Sequence, residues 1–69
     1  MPRKLRELIA DLLRAGFEEM SGKGSHRNFR HPRLRGKITL SGKPGENAQS
    51  YQERDVRDWL RKARDAQRP

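Results

Sequence analysis

Two stretches with helical spacing bracket a middle third whose pattern alternates every second residue. That ordering restricts the fold more than any other feature of the chain. In "RKLRELIADLLRA", residues 3–15, apolar side chains fall at 5, 8, 9, 12 and 13. This stripe predicts an amphipathic helix over about 3–15. Pro2 suits a first helical turn, and Gly16 stands where a left-handed C-terminal cap belongs. Near the other end, "SYQE" reads as a capping box in which Ser50 and Glu53 satisfy each other's backbone N–H groups. Apolar residues then recur at 56, 59, 60 and 63, which predicts a second helix over about 51–66. Asp55 and Asp58 lie early in it and Arg61, Lys62 and Arg64 late, as the helix dipole favours. Trp59 is expected to anchor this helix in the core, and the tail "RDAQRP" to fray.

Between the helices three short strands are expected, over about 17–21, 25–31 and 36–41. Gly22 and Gly24 make the first turn, Pro32 ends the second strand, and Ile38 and Leu40 share one face of the third. The residues of "GKPGENAQS" form a polar connector. The predicted fold class is α+β, in the order α-β-β-β-α: a three-stranded antiparallel sheet with both helices on one face. At 69 residues the chain is a single domain, 1–69, with one thin core.

Charge is segregated. The net charge is +8, and residues 20–45 hold seven Lys and Arg with no acidic residue, while the flanking segments are close to balanced. Such a segment suits a polyanion, although a solvated basic loop is the plain alternative. Cysteine is absent, so neither disulfides nor thiolate metal sites support the fold. The two histidines have no acidic neighbours in sequence to complete a metal site, so no metal and no cofactor are expected. No apolar run approaches the length of a membrane span and no secretory leader is visible, so a cytoplasmic location is expected.

Both histidines lie in "SGKGSHRNFRHP", residues 21–32. Strand parity separates them. Phe29 marks the core face, with Arg27 and His31 on its margins, while His26, Asn28 and Arg30 point away from the helices. The two histidines are therefore not expected to act on one phosphodiester or to bind one metal. His31, ahead of Pro32, reads as the strand terminator. An imidazole can take a proton from a 2′-hydroxyl or return one to a leaving oxygen. Lys23, Arg27 and Arg30 supply neighbouring cations; Arg33, Arg35, Lys37 and Lys43 read as less specific phosphate contacts. On residue types alone His26 stays open between phosphate ligand and catalyst. Gly22 and Gly24 are open between a tight turn and a place for RNA backbone to approach.

The segment "KLRELIADLLRAGFEEMSGKGSHRNFRHP" resembles the first part of HicA toxins, with Gly-Ser-His, two residues, Phe, and then His-Pro. "YQERDVRDWL" is similar to a branch of that family in which Tyr-Gln opens the last helix. The resemblance covers roughly residues 3–63. It implies a fold like the double-stranded RNA-binding domain and an endoribonuclease that cleaves mRNA without a metal, the toxin of a type II toxin–antitoxin pair. His26 is then the general acid or base, with Lys23, Gly24, Ser25, Arg27, Arg30 and Lys37 as candidate RNA contacts. The implied partners are the mRNA substrate and a HicB-type antitoxin that masks the site, with no membrane and no small-molecule cofactor. The alternative is a non-catalytic double-stranded RNA-binding module, which would read shape across a duplex.

Overall fold

The computed structural model describes residues 2–20, 22 and 24–67. The elements follow in the expected order: α1 (Leu5–Arg14), β1 (Glu18–Met20), β2 (His26–Arg30), β3 (Ile38–Ser41) and α2 (Ser50–Ala66). The sheet order is β1-β2-β3 with both pairs antiparallel, so the α+β meander stands. Each strand is shorter than its sequence pattern, because the flanking residues serve other purposes. Phe17, expected in the first strand, belongs to the cap of α1 instead.

That cap is a Schellman turn. Gly16 has φ +96°, its N–H donates to Leu13 O at 3.1 Å, and the Phe17 N–H donates to Leu12 O at 3.0 Å. Phe17 is thereby delivered into the core beside Leu12. The start of α1 is satisfied from far along the chain. Leu5 N–H donates to Glu46 O at 2.9 Å and Arg6 N–H to Pro44 O at 3.0 Å. The Ala48 N–H closes the lacing on Arg3 O at 2.6 Å. The polar connector is thus the N-terminal cap of α1, filling donors that every helix leaves open.

α2 begins one residue earlier than its capping motif suggested. Gln49, not Ser50, is the N-cap, and the Gln52 amide oxygen accepts the Gln49 N–H at 2.8 Å. Gln52 sets this phase because its other end is committed. It is buried, and its Nε2 donates to Ser41 O at 3.0 Å. The far end of α2 is tied as well. It runs to Ala66, and Gln67 Nε2 donates to Ala15 O at 3.4 Å, so the expected fraying does not reach these residues.

The core comprises Leu5, Leu8, Ile9 and Leu12 of α1, Phe17, Phe29 of β2, Ile38 and Leu40 of β3, and Ala48, Val56 and Ala63. Trp59 packs edge-on against Phe17, as expected of an anchor, and Lys62 Nζ lies 4.9 Å from the centre of its ring. Leu34, outside every predicted element, also packs against the core. Leu13 is 49% exposed, because it lies farthest round the helix from Leu8. Among the described residues no helix is long and apolar enough to cross a membrane.

Candidate active site

His26 opens β2 on the sheet face opposite the core. Register fixes this: Phe29 pairs with Ile38 and Arg27 with Leu40, so these point inward, whereas His26 pairs with Ser41 and Asn28 with Thr39. The outer face carries Glu18, Met20, His26, Asn28, Arg30, Thr39 and Ser41. At one end Glu18 and Arg30 line a recess together with His31 and Leu34, while His26, at the other end, is exposed. The Ser41 hydroxyl lies 2.7 Å from His26 Nδ1. Beside this pair, Thr39 Oγ1 donates to Asn28 Oδ1 at 2.6 Å. Nδ1 is therefore occupied by a neutral side chain, and Nε2 has no hydrogen-bond partner among the described residues.

The glycines before His26 divide their work. A Cβ on Gly22 would collide with the His26 carbonyl oxygen, so the backbone approach itself requires glycine. Gly24 has φ +61° with open space around it; its requirement is conformational. Ser25 ties the turn to the end of β3, its carbonyl accepting the Gly42 N–H at 3.3 Å. Lys23 lies outside the described residues.

Among the described residues the basic side chains do not converge on His26. Arg27 is turned to the opposite face, where Nε and Nη2 each donate to the Glu19 carboxylate at 2.7 Å. Its guanidinium carbon lies 5.9 Å from the centre of the Phe29 ring. The hydrogen bonds from Arg27 hold the Glu19 carboxyl below the usual carboxylate range, and Glu19 raises the Arg27 guanidinium in turn. Arg30 shares the face of His26 but sits four residues along the strand, about 13 Å away at strand rise. Glu18 lies 3.8 Å from its Nε. Lys37, just ahead of β3, is exposed. Sheet pairing thus sets two acids of β1 beside two cations of β2, and the acid-free run in sequence is not acid-free in space.

His31 is a structural residue of a kind the sequence pattern did not reveal. It is 4% exposed and packs edge-on against Phe17 with ring centres 5.1 Å apart. Nδ1 accepts the Arg33 N–H at 3.1 Å, and the Gln67 side-chain nitrogen lies 3.2 Å from Nε2. It joins the end of β2 to the last turns of both helices. Parity correctly placed it on the face away from His26. Among the described residues no group of three His, Cys, Asp or Glu side chains is placed to hold a metal ion. The residues that sequence reasoning missed as parts of the site are Ser41 and, behind it, Gln52. A hydroxyl one position past Leu40 is the only trace that Ser41 leaves in the sequence.

Fold and site together define a small α+β domain with the α-β-β-β-α order that presents one histidine on an open sheet face. The chain belongs to the HicA toxin family: a family model described as the HicA toxin of bacterial toxin–antitoxin systems matches residues 5–66. It is accordingly the toxin component of such a system, and an antitoxin is its family-level partner. Searches of curated proteins and of solved structures return no match.

Proposed function

We propose that this toxin is an endoribonuclease that cleaves mRNA without a metal, uses His26 as its general acid and base, and is neutralised by a HicB-type antitoxin. The observation that carries the reading is His26 itself: exposed, on the outer sheet face, with Nδ1 engaged by Ser41 and Nε2 without a partner among the described residues. An extended polymer needs no enclosing pocket, and a flat face admits it. Nε2 takes the proton of a 2′-hydroxyl as the 2′-oxygen bonds to phosphorus. The imidazolium then returns that proton to the 5′-oxygen as its bond to phosphorus breaks. Atoms and protons balance with one histidine.

The RNA contacts are assigned by position. Gly24 and Ser25 present backbone at the approach to His26, and Lys23 belongs to the same turn by sequence. Arg30 and Lys37 serve phosphates further along the strand, at a distance from the cleaved one. Arg27 acts differently from the expectation for it: paired with Glu19 on the far face, it supports β2 rather than a phosphate at His26.

The test is cleavage of a single-stranded message by wild type and His26→Ala, each with and without EDTA. Wild type cuts equally in both conditions, and H26A loses at least ~10²-fold, the lower end of a general acid–base contribution. Cleavage by H26A at the wild-type rate refutes the assignment of His26. Tight binding of intact duplex with no cleavage by wild type refutes the nuclease reading in favour of an RNA-binding module.

A further inference from the structure

We infer that Ser41 is the positioning residue for His26, an inference that rests on the reading of His26 as the acid and base. The two residues are directly opposed across β2 and β3, and Ser41 Oγ lies 2.7 Å from Nδ1. A histidine that takes a proton at Nε2 must begin with its ring proton on Nδ1. The Ser41 oxygen is the acceptor for that proton. After transfer both ring nitrogens carry hydrogen, and Nδ1–H still donates to the same oxygen. One hydrogen bond therefore serves the ring through both halves of the reaction, fixing its plane and its tautomer.

Ser41 is itself held from three directions. Its carbonyl accepts from the buried Gln52 at 3.0 Å. The next residue, Gly42, bonds back to Ser25 beside His26 at 3.3 Å. Gly42 turns the chain at φ +123°, where a Cβ would lie 2.7 Å from Leu5 Cδ1. The backbone that carries the hydroxyl is thus anchored to α2, to the glycine turn and to the core of α1. A serine free on a solvent-facing strand end would not hold a ring in place.

The experiment compares Ser41→Ala, Ser41→Thr and Ser41→Val with wild type and His26→Ala. Thr and Val have the same shape and suit a strand equally, so they differ in the hydroxyl alone. That pair carries the test if the alanine variant folds poorly. The first readout is the ¹⁵N chemical shifts of the His26 ring above its titration, which report the tautomer independently of activity. Wild type and S41T are expected to hold the proton on Nδ1, while S41V and S41A relax to the distribution of a free imidazole. The second readout is RNA cleavage: kcat falls on the order of tenfold to a hundredfold in S41V and S41A with KM little changed, as misplacement of a reacting group produces. S41T restores it.

If S41V keeps both the wild-type tautomer and the wild-type kcat while H26A is inactive, the inference about Ser41 is overturned and the role of His26 survives. If H26A cleaves at the wild-type rate, the acid–base reading fails and takes the positioning role with it.

Discussion

Gln52→Leu should be among the most damaging substitutions of a polar residue in this chain. The side chain is 3% exposed and occupied at both ends: Oε1 accepts the Gln49 N–H at 2.8 Å and Nε2 donates to Ser41 O at 3.0 Å. Leucine has nearly the same volume, so cavity formation contributes little and the cost is polar. Loss of an N-cap interaction costs about 1 kcal/mol. A carbonyl left unpaired where Gln52 was buried costs roughly 1–3 kcal/mol more. The sum, about 2–4 kcal/mol, compares with a total stability of roughly 3–10 kcal/mol for a chain of this size. In a domain this small each kcal/mol moves the melting temperature by about 4–8 °C, so a fall of more than ~10 °C is expected. Thermal unfolding followed by far-ultraviolet circular dichroism reads it directly. Gln52→Glu supplies the control. It keeps the acceptor for Gln49 but points a buried carboxylate at the Ser41 carbonyl, which raises that carboxyl's folded-state pKa above its unfolded value. The deficit relative to wild type should then be small below the unfolded carboxyl range and grow as pH rises through it. A fall of less than ~3 °C for Q52L, or a deficit in Q52E that shrinks with rising pH, refutes the account of Gln52 as a buried clamp.

Two further predictions concern stability. Gly42→Ala combines φ +123° with a Cβ placed 2.7 Å from Leu5 Cδ1, so it should cost on the order of 1–3 kcal/mol, and more than Gly24→Ala, whose Cβ meets only open space at φ +61°. Equal melting temperatures for the two variants would sink the packing argument at Gly42. Acid should destabilise the fold with a definite sign. The carboxyls of Glu7, Asp11 and Glu19 are all depressed, by the Lys4 N–H for Glu7 and by Arg27 for Glu19. For Asp11 burial pushes upward but is outweighed by Arg3 and Arg14 together. Their contribution is present above the unfolded values of 4.5, 3.8 and 4.5 and is lost as pH falls through the folded values. The Glu19–Arg27 pair is partly exposed, so Glu19→Gln should remove only about 1 kcal/mol or less of that acid limb, seen as a slightly flatter plot of melting temperature against pH. An unchanged acid limb in that variant would deny the pair any share in it.

What the sequence made legible was whatever depends on periodicity. The stripe at 5, 8, 9 and 12 and the alternation around Phe29 and Leu40 reflect burial, and burial leaves a repeating signature. The same alternation placed His26 and His31 on opposite faces, because it needs no knowledge of partners. Contacts that depend on pairing were not legible. Arg27 and Glu19 are eight residues apart, and nothing in their spacing says that β1 sets one beside the other. Ser41 looked like one more polar residue on an outer face until register set it opposite His26. Gln52 was invisible for a third reason: a polar residue on a helix is presumed solvated, and its burial follows only from where β3 ends. The connector read as a loop because its value lies in its carbonyls, and sequence patterns report side chains.

The placement of His26 follows from the core rather than from the site. A slip of β2 by one residue against β3 would turn Phe29 to solvent and His26 and Asn28 toward the core, with Ile38 and Leu40 still facing inward. Burying Phe29 against Ile38 therefore enforces the pairing that sets Ser41 at 2.7 Å from Nδ1. The clamp through Gln52 adds the remaining constraint, since register fixes which residues oppose each other but not how firmly the strand end is held. In a domain with so thin a core, the same few interactions stabilise the fold and aim the histidine. Substitutions such as Q52L should accordingly lower melting temperature and activity together, whereas S41V should separate the two. A partner that covers the open face adds stability by mass action without altering this arrangement. If the antitoxin masks His26 as proposed, it need only occupy the surface that Nε2 faces.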